Sequence, residues 1–285
     1  MGETVSARFG ERVRSALTEY GPLCVGIDPH QSLLQSWALE DSAAGVREFG
    51  LRTVDAAAGR VGIIKPQVSF FERFGAAGFA ALEDVFRAAK DAGLIVIADA
   101  KRGDIGTTMD AYAAAWLTPG APLEADALTV NPFLGVGTLR STFDRAEAHG
   151  KGIFVLAATS NPEARTVQRA QTDANEAVSA AIMADVSAYN AERSPDGVWG
   201  SIGFVIGATV DWAEAGIAPF TPHAPILGPG FGAQGASPAD LRARFGAHAS
   251  MVIAAESRSI LSSGPDKLIP TITARVAEYQ ESLNV

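Results

Sequence analysis

Leu94-Ile-Val-Ile-Ala-Asp99-Ala-Lys101-Arg-Gly-Asp104-Ile-Gly-Thr107-Thr108 reads as a buried strand that ends in charge. The charged residues come directly after the apolar run Leu94 to Ala98. Residues two apart in an extended strand share a face, so Asp99 and Lys101 are expected to point the same way, with Asp104 in the loop that follows.

Comparable runs occur at Leu23 to Asp28, Val61 to Pro66, Ala127 to Asn131, Gly152 to Thr159, Ile202 to Thr209, Ala224 to Gly228 and Met251 to Glu256. With Leu94 to Lys101 they make eight candidate strands. Ala-rich segments with helical spacing lie between most of them, such as Gly78 to Ala92 and Thr172 to Arg193, long enough for right-handed crossovers. Strand and helix repeated eight times predict a closed (β/α)8 TIM barrel, read as a single domain over residues 1–285, in preference to a doubly wound open sheet. Each run ends in polar or turn-forming residues, and the carboxyl ends of barrel strands are where this fold places its chemistry.

A lysine held between carboxylates stays protonated, because nearby opposite charge favours the ammonium form. Lys101, flanked by Asp99 and Asp104, therefore suits a proton donor better than a Schiff-base nucleophile, which wants a lowered pKa. A solvated salt-bridge cluster at a strand end is the plainer alternative. It must also account for three ionisable groups beside an apolar strand interior.

A second signal follows the last two runs. Gly228-Pro-Gly-Phe-Gly-Ala-Gln234-Gly235 has the glycine content of a loop that brings backbone N–H groups close to a ligand. Glu256-Ser257-Arg258-Ser259-Ile260 leads toward a helix whose N-terminal donors, with Arg258, could hold a phosphate. Loops after strands seven and eight are the usual phosphate site of a barrel.

The net charge of −9 argues against a nucleic acid polymer as partner but leaves room for a small anion in a local pocket. Cys24 is the only cysteine, so no intramolecular disulfide or thiolate cluster is expected, and a cytoplasmic setting is the default. Glu3, Arg8, Glu11, Arg12 and Arg14 mark an amphipathic N-terminal helix in place of a signal peptide. No apolar stretch reaches the roughly 18 residues of a membrane span. His30, His149, His223 and His248 show no metal-ligand spacing, and no metal site is expected. Asn131 is explained as well by a turn as by a pocket, and the four tryptophans read as packing residues.

Asp99-Ala-Lys101-Arg-Gly-Asp104-Ile-Gly-Thr-Thr108 resembles the signature of the orotidine 5'-phosphate decarboxylase family, in the longer branch typified by mycobacterial enzymes. Val25-Gly-Ile-Asp28-Pro29, Lys65-Pro66-Gln67, Thr159-Ser160-Asn161-Pro162, Gly207-Ala208-Thr209, Pro229 to Gly235 and Ser257-Arg258 extend the resemblance in matching order. It implies decarboxylation of orotidine 5'-monophosphate (OMP) to UMP without cofactor or metal. Lys101 would protonate C6, Asp99 would face the substrate carboxylate, and Lys65 would join the charged network. Asp28 would bind the ribose, Ser160 the pyrimidine, and Gln234, Ser257 and Arg258 the phosphate. The resemblance also implies a homodimer in which Asp104 and Thr108 act in the partner's site. Gly106 departs from the proline common at that position, and 160–200 and 210–225 are longer than in compact members.

Two rivals are a magnesium-dependent sugar-phosphate enzyme of the same superfamily and a phosphate-binding barrel without turnover. The first wants an acidic metal ligand where Lys65 stands, and a cation there would repel Mg²⁺. The second should have lost part of the charged group, yet Lys65, Asp99, Lys101 and Asp104 are all present.

Overall fold

The structure is a computed structural model that describes residues 7–284; Glu3, counted above toward the N-terminal helix, lies outside them. Eight strands close a barrel in chain order. They are β1 Leu23–Ile27, β2 Ile63–Pro66, β3 Ile95–Arg102, β4 Ala127–Val130, β5 Gly152–Ala158, β6 Ile202–Ile206, β7 Ile226–Pro229 and β8 Val252–Glu256. Every expected run coincides with one of these strands, β3 and β7 each ending one residue past it, and the closed order replaces the open-sheet alternative. Strands β1, β2, β4, β6 and β8 are buried at every position, which is why the sequence runs are apolar without alternation.

The helices begin where local chemistry allows. One spans Gly75–Asp91, close to the expected segment. Another starts at Val178, not Thr172, and runs to Arg193. The intervening residues fold back on themselves: Thr172 N–H donates to Glu176 O at 2.8 Å, and Asn175 takes φ 61°. Asparagine tolerates that left-handed conformation better than most residues.

By contact the chain divides into two compact units. The first is Lys101–Leu227 with the N-terminal residues through Ser15. Here Phe9, the first residue of the helix Phe9–Tyr20, meets Phe154 of β5 edge-on at 6.0 Å. Its ring fills the space that a side chain at Gly152 would take. At the amino ends of β4 and β5, Arg12 pairs with Asp126 at 2.7 Å, and Lys151 lies 2.7 Å from Glu124 and 3.7 Å from Asp126.

The second unit is Ala16–Ala100 with Gly228–Val285. Its helix Ala43–Ala57 opens with Ser42, whose hydroxyl accepts from Gly45 N–H at 3.1 Å, a cap worth about 1 kcal/mol. Gly50 on that helix lies against Val85 of Gly75–Asp91, and an added Cβ would overlap Val85 Cγ2. Trp37 is buried against Phe49, with its indole N–H donating to Leu261 O at 3.0 Å. Among the described residues no helix is long and apolar enough to cross a membrane.

Candidate active site

The carboxyl ends of β1, β2 and β3 carry a cluster of buried charge. The β1–β2 register aligns Gly26 with Lys65 and Ile27 with Pro66, and Gln67 bridges to Asp99. Lys65 Nζ lies 2.9 Å from Asp99 Oδ2, with the two residues only 7% and 6% exposed. Burial by itself would push the Lys65 ammonium down, but the Asp99 and Asp28 carboxylates override it and hold lysine above its ordinary value. Asp28 Oδ1 is buried with no hydrogen-bond partner among the described residues, an exception of the kind that marks a ligand position. Cys24 sits nearby, and burial pushes its thiol up to about 12 against the opposing influence of Lys65. It is an inert thiol, not a nucleophile.

Gln67 is a residue whose role the sequence reading missed. Its side-chain amide donates to Asp99 O at 3.0 Å, and its backbone N–H donates to Ile27 O at 3.1 Å, so it ties the ends of three strands together. Its place directly after Lys65-Pro66 was the available signal.

Lys101 departs from simple strand alternation. Its φ is 50°, a left-handed backbone that costs a non-glycine residue about 1–3 kcal/mol and persists only where the surroundings impose it. One such restraint is Thr129 of β4, almost fully buried, whose Oγ1 accepts from Lys101 N–H at 2.9 Å. Asp99 is buried and Lys101 exposed, and the left-handed backbone at Lys101 interrupts the extended geometry that period-two alternation assumes. Thr129, too, was not singled out from sequence.

Beyond β3, Asp104 is half-buried and its Oδ1 accepts from Ile105 N–H at 2.8 Å. Gly106 has φ 54°, which proline, fixed near −65°, cannot adopt, so the departure at this position is a real difference in loop backbone. Thr108 is exposed in the first turn of the helix Gly106–Leu117. Asn131 Oδ1 accepts from Phe133 N–H at 3.0 Å, which favours the turn explanation for that residue.

Ser160 is exposed after β5 and lines a small cavity of about 80 Å³ with Arg165, Gln168 and Thr209. Gln168 holds the strand end by accepting from Thr159 N–H at 2.9 Å. The longer excursions 160–200 and 210–225 line a separate cavity of about 650 Å³, with Met183 and Phe220 among its walls.

In the loop after β7, Gln234 is exposed at the end of the single turn Gly232–Gln234. After β8, Arg258 is exposed at the start of Arg258–Leu261, and Ser257 Oγ is buried without a hydrogen-bond partner among the described residues. Gly26 gives Ser257 its room, since an added Cβ would lie 2.9 Å from Ser257 Cβ. Thus Asp28, Lys65 and Asp99 form one cluster, and Ser257 and Arg258 adjoin one another; Gln234 stands on the preceding loop. Lys101, Asp104, Thr108 and Ser160 fall in the other unit, at the ends of β3 and β5.

A model of the orotidine 5'-phosphate decarboxylase / HUMPS family matches residues 21–268. The chain is 49% identical over 258 residues to the orotidine 5'-phosphate decarboxylase of Salinispora arenicola, covering 90% of this chain and 91% of that protein. It is 49% identical over 261 residues to that of Streptomyces coelicolor, with 90% and 91% covered. Among solved structures, one described as an orotidine 5'-phosphate decarboxylase from Streptomyces avermitilis superposes with a TM-score of 0.91 at 44% identity, covering 98% of this chain and 96% of that one. The OMP decarboxylase of Leishmania donovani gives 0.78 at 26% identity, with 98% and 100% covered.

Proposed function

The chain belongs to the orotidine 5'-phosphate decarboxylase family, and we propose that, as a single barrel domain, it converts OMP to UMP and carbon dioxide with Lys101 as proton donor and no metal or cofactor. The activity is that of a carboxy-lyase in pyrimidine biosynthesis. The observation that carries the residue assignment is the buried Lys65–Asp99 pair beside an Asp28 oxygen left without a partner.

That arrangement supports the roles of Lys65, Asp99 and Asp28; the other roles rest on the family resemblance. Lys65, held charged at 2.9 Å from Asp99, keeps Asp99 a carboxylate despite its burial. An ionised Asp99 facing the substrate carboxylate raises the energy of the bound ground state, and the repulsion vanishes as neutral carbon dioxide leaves. The C6–carboxylate bond breaks, its electron pair stays on C6, and a proton from the Lys101 ammonium forms the new C6–H bond. The neutral amine then regains a proton from water. The fixed ammonium also stabilises the developing negative charge before transfer. Asp28 takes the ribose hydroxyls, Ser160 the pyrimidine edge, and Gln234, Ser257 and Arg258 the phosphate. Binding energy from the phosphate then helps hold the reacting end in place.

Asp104 and Thr108 serve the neighbouring subunit of a homodimer. Support comes from the apolar side chains around them: Ile105 is 59% exposed, Phe133 77% and Leu134 51%. Large apolar groups left in water beside a polar loop are what a subunit interface covers.

The test is direct. OMP is added to the purified protein with EDTA present, and the loss of its ultraviolet absorbance is followed. Turnover in chelator is expected. Absence of turnover, or activity on sugar phosphates that needs added Mg²⁺, would overturn the proposal.

A further inference from the structure

We infer that Glu256 is a positioning residue that seats the turn carrying Gln234 beside Arg258, and so sets how tightly the phosphate is held. This rests on the reading of Gln234 and Arg258 as the phosphate grip. Glu256 ends the apolar strand β8 and is 1% exposed, an expensive place for a carboxylate unless its oxygens are bonded. Oε1 accepts from Tyr279 OH at 2.7 Å and lies 3.5 Å from Arg275 Nη1. Oε2 accepts from Ser259 Oγ at 2.6 Å.

The loop after β7 rests on this group. Gly232 has φ 67°, and a Cβ there would overlap both Ser259 Oγ and Glu256 Oε2, so only a glycine lets the turn sit this close. The turn is folded in itself: Gly232 N–H donates to Ala236 O at 2.7 Å, Ala236 N–H to Gly230 O at 3.1 Å, and Gly235 N–H to Gly232 O at 3.0 Å. Phe231, buried next to Gly232, lies 5.8 Å from the Tyr279 ring and 6.3 Å from the Phe245 ring. Tyr279 therefore holds the loop twice, through its ring to Phe231 and through its hydroxyl to Glu256.

Both lines of contact from Glu256 end at the phosphate grip. Ser259 adjoins Arg258, and Gly232 opens the turn that ends in Gln234. The carboxylate accepts on both oxygens, so one side chain sets the spacing of two loops. An amide in its place can accept on one side only; on the other its NH2 must donate, so that hydroxyl has to turn its own proton away and the charge that faces Arg275 is lost, which loosens the spacing.

The experiment compares kcat/KM on OMP with kcat/KM on orotidine, the same nucleoside without its phosphate, for Glu256→Gln, Ser259→Ala and Arg258→Ala. Glu256→Gln is expected to lose roughly 10- to 100-fold on OMP, in line with the cost of a misplacement of about 1 Å, while orotidine changes by less than about twofold. Ser259→Ala should show the same selectivity at about threefold, a loss typical of one net hydrogen bond, and it decides the matter if Glu256→Gln does not fold. Equal losses on the two substrates, or none, overturn the inference. Arg258→Ala separates the premise from the inference: if it too fails to distinguish OMP from orotidine, the phosphate-grip reading is what has failed.

Discussion

Two clusters of charge, one at the amino ends of β4 and β5 and one at the carboxyl ends of β1 to β3, both bring lysine close to aspartate and are left in different states. In the first, Asp126 lies between Arg12 and Lys151, and Lys151 reaches Glu124, so cations and carboxylates alternate and each has a partner inside the chain. In the second, Lys65 faces both Asp99 and Asp28, and an oxygen of Asp28 stays buried without a hydrogen bond from the described residues. Next along β3, Lys101 is exposed on a left-handed backbone. A saturated cluster can only hold the barrel together. One that keeps unspent hydrogen-bonding capacity and local strain is arranged for something the chain itself does not supply.

The contrast is broken most directly by Lys101→Ala. A proton donor is worth about 10²–10⁴-fold, so kcat should fall by at least a hundredfold while UMP affinity, read by titration calorimetry, changes little. Near-normal turnover would mean that the proton comes from elsewhere. At the other end, Asp126→Ala takes the carboxylate from Arg12 while Lys151 keeps Glu124, and should cost about 1–3 kcal/mol in denaturant unfolding, with turnover per folded molecule unchanged. Should activity fall and stability hold, the two ends would not divide the labour in this way.

Two smaller effects sharpen it. Lys101→Gly should be more stable than Lys101→Ala by about 1 kcal/mol, because glycine takes the left-handed backbone without strain, yet both should be inactive. Equal unfolding midpoints would show that the backbone strain is absent in solution. The smallest effect is one of pH. Lys65 has its pKa raised by folding, so its contribution is full below the unfolded lysine value of about 10.4 and is lost only as pH rises through the higher folded value. The stability difference between the wild type and Lys65→Met should therefore be flat from about pH 7 to 10. A difference that shrinks across that interval would place Lys65 outside the carboxylate cluster.

Much of this was legible in the residues. Strands buried on both faces leave apolar runs with polar ends, and β1 to β8 match them to within a residue at their carboxyl ends except where β6 stops short. Asp28, Lys65 and Asp99 could be named because each closes or interrupts such a run. Lys101 could be named as well, but not its left-handed backbone, which is restrained from Thr129 on the neighbouring strand, 28 residues away in sequence. Gln67 and Glu256 stood in motifs already noticed, but their work is done on Asp99 O, Ser259 and Tyr279, and no spacing rule links those partners. The helix start at Val178 was missed because a turn of polar residues mimics helical composition while its backbone folds back.

The order of residues along the chain was enough to determine the number and succession of strands and which chemistry-bearing side chains stand at their ends, because both follow from periodicity and local turn preference, which are short-range. Which of those charges neutralise one another, which oxygen is left over, and which glycine lets a loop rest on a buried carboxylate were decided only on folding. Those facts depend on distances between strands, and such distances come into being when the barrel closes.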